Sequence, residues 1–98
     1  MAIVDFKAGE ITYNEFYIDF DLPFENQEEL LTEDLLQVEY KNGYLIDLGW
    51  YPEYDKNGKF IIQLIKDGNW NNPIYKQQCR DFKQLKIILN KAINMIKM

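Results

Sequence analysis

From Phe16 to Leu22, hydrophobic and polar residues alternate: Phe16, Ile18, Phe20 and Leu22 share one face, and Tyr17, Asp19 and Asp21 the other. A period of two puts successive side chains on opposite sides of an extended chain, so the segment predicts a half-buried strand. Asp19 and Asp21 would then sit roughly 7 Å apart on its outer face. Upstream, Ile3–Lys7 and Ile11–Tyr13 are shorter apolar stretches separated by Ala8-Gly9, which predicts a hairpin-like beginning. Pro23 ends the strand, and Asn26 with Glu29 three residues on fits a capping box opening a short acidic helix over 26–31. Leu36, Val38 and Tyr40 then alternate with Gln37, Glu39 and Lys41 before Asn42-Gly43, a strong hairpin signal because such turns need positive φ. Strands are expected at 35–41 and 44–51.

A second turn is predicted at Asp55-Lys56-Asn57-Gly58, followed by the nearly continuous apolar run Phe60–Ile65, which reads as a central strand buried on both faces. After Asp67-Gly68-Asn69, the more polar stretch Ile74–Cys79 follows Pro73 and suits a sheet edge. From Asp81 the period changes. Asp81 and Gln84 form a capping box, and Phe82, Leu85, Ile88, Leu89, Ala92, Ile93 and Ile96 fall on one helical arc. Lys83, Lys86, Asn90, Lys91, Asn94 and Lys97 occupy the opposite face, with Ile87 the one apolar residue among them. The pattern predicts an α+β fold. An antiparallel meander of four to six strands carries a C-terminal amphipathic helix packed on one face, with the short acidic helix near 26–31.

Composition supports a packed core: 47% of the 98 residues are hydrophobic and 15% aromatic, enough for one domain spanning 1–98. No apolar run reaches the roughly 18 residues that span a bilayer, and Met1–Asp5 lacks the features of a signal peptide. A cytoplasmic protein without membrane contact is expected. The single cysteine, Cys79, cannot form an internal disulfide and reads as a small buried apolar residue. Histidine and serine are both absent, which removes the Cys-His and Ser-His-Asp constellations and the usual zinc sets. No phosphate-binding glycine loop occurs, and the acids do not follow the spacing of a calcium loop. Neither catalysis nor a cofactor is expected.

Charge is distributed unevenly. The net charge of −5 divides into −12 over residues 1–55, where 14 acids face only Lys7 and Lys41, and +7 over residues 56–98, where 9 bases face Asp67 and Asp81. Three arrangements are open: the halves interleave as weak surface pairs, the acids form one exposed face, or acidic and basic faces of two copies meet. An exposed acidic face would draw on Asp19, Asp21, Glu25, Glu28, Glu29, Glu33 and Asp34, and would attract a basic protein while repelling nucleic acid. The loop Trp50, Tyr51, Glu53, Tyr54 and Asp55 adds aromatics beside acids, either as interface anchors or, for Trp50 above all, as core.

The stretch Leu48-Gly49-Trp50-Tyr51-Pro52, then Gly58-Lys59-Phe60, then Asn69-Trp70-Asn71-Asn72-Pro73 and a closing amphipathic helix resembles small immunity proteins of bacterial contact-dependent growth inhibition and related polymorphic toxin systems. The likeness covers about half the chain. It implies a protein that binds and neutralises a toxin domain, often a nuclease, in the same cell. Two other expectations remain beside it: a phage anti-defence protein that mimics nucleic acid, and a structural or regulatory homodimer.

Overall fold

In the computed structural model, residues 3–97 are described; Met1 and Ala2, part of the N-terminus read above for a leader, lie outside them, as does Met98. Five strands form one antiparallel meander in chain order: β1 (Glu10–Asn14), β2 (Leu36–Glu39), β3 (Tyr44–Tyr51), β4 (Lys59–Lys66) and β5 (Tyr75–Cys79). The helix α1 (Phe82–Met95) follows. The expected class and layout are therefore observed.

The Asn42-Gly43 turn joins β2 to β3, with Gly43 at φ 88, and the register runs from Leu36↔Leu48 to Glu39↔Leu45. Tyr44↔Lys66 through Tyr51↔Lys59 then pairs β3 with β4. This register lines up Leu36 and Val38, Ile46, Leu48 and Trp50, and Phe60, Ile62 and Leu64 on one face, all of them buried. Leu85, Ile88, Leu89, Ala92 and Ile93 of α1 join the same core, together with Phe16, Ile18, Leu31 and Leu35 from the long β1–β2 connection. Asp81 caps α1 by accepting from the Gln84 N–H at 2.7 Å. Phe82 is more exposed than its place on the apolar arc predicts, yet its ring stacks on Phe20 at 4.5 Å.

Four local expectations need correction. Residues 16–22 form no strand. Their alternation survives, since Phe16 and Ile18 are buried and Tyr17 and Asp19 exposed. Three of their backbone groups, however, are satisfied by one side chain instead of a neighbouring strand. Buried Gln27 accepts from the Asp19 N–H at 2.8 Å and donates to the carbonyls of Asp19 at 2.7 Å and Leu22 at 3.2 Å. Asp19 then turns the chain by accepting from the Asp21 N–H, which leaves Leu22 exposed and removes the shared strand face of Asp19 and Asp21. Second, the acidic helix of 26–31 is realised as two 3-10 turns, Phe24–Asn26 and Glu28–Leu30, with no side-chain cap, because Gln27 at φ −146 interrupts them. Third, β1 pairs with β2 instead of forming a hairpin with residues 3–7. Fourth, β4 is fully buried on one face but only in part on the other, where Ile65 is covered and Ile61 and Gln63 are half-buried.

The segment before β2 is bound tightly to β3. The N–H of Trp50 donates to the Thr32 carbonyl at 2.9 Å, and that of Leu35 to the Leu48 carbonyl at 3.0 Å, so Glu33 and Asp34 bulge outward. Gly49 makes this crossing possible, since a Cβ there would lie 1.9 Å from the Glu33 carbonyl oxygen. Gly49→Ala is expected to lower stability by about 1–3 kcal/mol through overpacking against backbone, measured as a shifted denaturant midpoint.

Candidate functional site

The acid-rich connection and the β1 side of the sheet together build one surface. Tyr13, Glu15 and Tyr17 lie at alternate positions along the chain leaving β1, and they line a shallow depression of about 310 Å³ with Glu29, Leu30, Thr32, Asp34 and Glu53. The lining contains four carboxylates and no basic residue. Backbone hydrogen bonds hold it in place. Glu15 N–H donates to the Leu35 carbonyl at 2.8 Å, Tyr54 N–H to the Leu31 carbonyl at 2.7 Å, and Glu33 N–H to the Glu53 carboxylate at 3.3 Å. The Thr32 hydroxyl donates to the Asp34 carbonyl at 3.0 Å. Both tyrosines remain available, with Tyr13 39% and Tyr17 62% exposed.

The tyrosine hydroxyls report the local field. Partial desolvation and then the charges of Glu15 and Asp34 raise the Tyr13 phenol above its ordinary value. Tyr51 is raised by desolvation and by four carboxylates, Asp47, Glu33, Asp34 and Glu53. Both rings therefore stay protonated, as hydrogen-bond donors amid negative charge.

Asp47 extends this field into the sheet. It is only 4% exposed, and its carboxylate accepts from the Gln37 side chain at 3.0 Å on the face opposite the core. Desolvation raises its pKa above the ordinary 3.8, Gln37 lowers it, and Asp34 raises it further. A carboxyl whose folded pKa exceeds its unfolded one stabilises the fold most below the unfolded value, and that contribution is lost as pH rises through the folded value. Asp47→Asn, which keeps an acceptor for Gln37, is therefore expected to be more stable than the parent at neutral pH. That advantage should disappear below about pH 4. Denaturation of both proteins across that pH range measures it.

The sequence-derived candidates divide into groups. Glu29, Asp34 and Glu53 line the depression, and Glu33 and Tyr51 adjoin it. Asp19 and Asp21 are exposed but belong to the turn described above. Glu25 is drawn elsewhere: it pairs with Lys56 at 3.7 Å and lines a second depression with Lys56 and Arg80. Glu28 is half-buried in its 3-10 turn. Tyr54 is exposed, and the Asp55 carboxylate accepts from the Asn57 N–H at 2.8 Å, which makes it a turn former.

Trp50 is not an interface anchor. It has no exposed surface, its ring meets Phe24 at 4.6 Å and Phe60 at 4.9 Å, and its indole N–H donates to the Asp55 carbonyl at 2.7 Å. Arg80 covers the cluster, its guanidinium over both Phe24 and Trp50, and donates to the carbonyls of Gly58 and Lys56. Cys79 is partly buried, and burial followed by the charge of Asp81 pushes its thiol up to about 11. It carries no reactive thiolate near neutral pH.

Tyr13, Glu15, Tyr17, Gln37 and Asp47 were not among the sequence-derived candidates. The first three continue, two residues at a time, the outward side of the alternation read at Tyr17 and Asp19. Asp47 is the only charge within Tyr44–Tyr51.

Among the described residues the acidic and basic halves meet in one ion pair, Glu25–Lys56; the other two pairs, Asp5–Lys7 and Lys66–Asp67, are local. Among the described residues the acids lining the depression take part in no ion pair, and Lys83, Lys86 and Lys91 are exposed on α1. Among the described residues no cluster of acids and thiols is arranged to hold a metal ion, and no helix is long and apolar enough to cross a membrane. No protein-family model, curated protein or solved structure matches the chain.

Proposed function

We propose that this protein is a binding protein and not an enzyme, and that it captures a basic protein through the surface around Tyr13, Glu15, Tyr17, Glu29, Asp34 and Glu53. The observation that carries this reading is the concentration of carboxylates and exposed tyrosines around one depression with no basic side chain in its lining. Unpaired charge of one sign accelerates encounter with the opposite sign, and tyrosine supplies contact area at little conformational cost. A toxin nuclease domain suits such a surface. Its substrate cleft must be cationic to hold phosphates, and carboxylates can occupy that field in their place. The resemblance to immunity proteins supports the same partner, and the proposed role is neutralisation of that toxin inside the cell.

The test is affinity capture with the parent protein and with a variant carrying Glu15→Gln, Glu29→Gln, Asp34→Asn and Glu53→Gln. The parent is expected to retain a basic nuclease and inhibit it at equimolar ratio, and the variant to release it. Equal retention by both, or a retained partner that is acidic, overturns the proposal.

A second reading, self-association, is favoured by the exposed lysines of α1, which match the acidic surface in sign. Sedimentation at rising protein concentration separates the two, since only this reading expects a salt-sensitive dimer without any other protein.

A further inference from the structure

The two edges of the sheet differ. β5 follows Pro73, carries Lys76 and leads into Arg80, features that discourage another strand from pairing there. β1 has neither lysine nor proline. Among the described residues it pairs only with β2, Glu10–Tyr13 are exposed, and its one irregularity is a register shift between Ile11 and Tyr13. Glu15 directs its N–H to the Leu35 carbonyl of the β2 side. Because backbone groups in an antiparallel strand point alternately to the two sides, the preceding Asn14 turns its own outward. The same edge leads directly into the acidic depression through Tyr13, Glu15 and Tyr17.

We infer that an extended basic segment of the partner adds to β1 as a sixth strand, with every second side chain a cation facing Glu15 and Asp34. The inference rests on the proposed capture of a basic protein and gives its mode. Main-chain hydrogen bonds along the edge supply affinity, and the alternate cations select the partner. The five residues of β1 offer an edge about 16 Å long at roughly 3.3 Å each.

The probe is a ten-residue peptide of alternating arginine and valine, with two analogues N-methylated at alternate amides in the two possible phases. Binding to the full chain is followed by calorimetry and backbone amide exchange. A strand paired on one side tolerates methyl groups pointing away and not those pointing inward. One analogue is therefore expected to bind about tenfold or more weaker than the other, the loss of roughly one or two hydrogen bonds. Amide protection should appear within Glu10–Asn14. Equal affinity of the two analogues, absence of binding, or protection at Tyr75–Cys79 instead overturns strand addition. Equal affinity that still falls in a Glu15→Gln/Asp34→Asn variant overturns the edge mode while leaving the acidic capture surface standing. Phase-dependent binding indifferent to that variant does the reverse.

Discussion

Trp50→Ala is expected to lower stability by about 3–5 kcal/mol, the range for removing a large aromatic from a packed core. The side chain touches Phe24 and Phe60, lies beneath Arg80, and satisfies the Asp55 carbonyl. Its loss opens a cavity and withdraws a donor from the loop that follows β3. For a chain of this size such a change lowers the melting temperature by more than about 10 °C. Trp50→Phe, which retains most of the volume but not the N–H, should cost clearly less. Thermal denaturation of the two variants checks both the size and the order. A surface anchor would behave otherwise, costing no more than about 0.5 kcal/mol of stability.

Tyr13→Ala combined with Tyr17→Ala is expected to leave the fold nearly intact and to speed dissociation of the captured partner by about 10- to 100-fold. The rings are substantially exposed, so little core packing is lost. That change corresponds to about 1.4–2.8 kcal/mol for the two rings together, and most interface substitutions act on the dissociation rate. Surface plasmon resonance should show the faster release with an association rate within a few-fold of the parent. Unchanged dissociation would move the anchoring role away from this pair. Tyr54→Ala, in the loop after β3, provides the comparison: it is exposed but outside the residues lining the depression, and a smaller effect is expected.

Much of the architecture was legible because the strongest patterns were local. Asn42-Gly43 marks its hairpin, Asp81 with Gln84 marks the helix start, and the arc from Leu85 to Ile93 identifies the buried side of α1. What escaped was set by contacts distant in sequence or by a single side chain acting as backbone. Nothing in the alternation of Phe16–Leu22 reveals that Gln27 will take the place of a strand neighbour. Nor does the turn spacing show that β1 must wait for β2 across a long connection. The acidic character of the site was readable from charge count, but its centre was displaced. Counting from Asp19 onward emphasised a turn and a lysine-paired Glu25, whereas the fold gathers Glu29, Asp34 and Glu53 around Tyr13, Glu15 and Tyr17. Trp50 could be read either way until the register placed it beside Phe60 on the core face.

The central claim is that this unneutralised surface recruits a basic protein by charge. The most direct test is the association rate constant of the captured partner with the parent and with the Glu15→Gln, Glu29→Gln, Asp34→Asn, Glu53→Gln variant, measured from low to high salt. Charge steering can raise association by about 10- to 1,000-fold, and at 1 M salt the screening length falls to about 3 Å. The variant should associate at least about tenfold more slowly at low salt, and the two rates should converge at high salt. Equal rates at low salt would contradict the account.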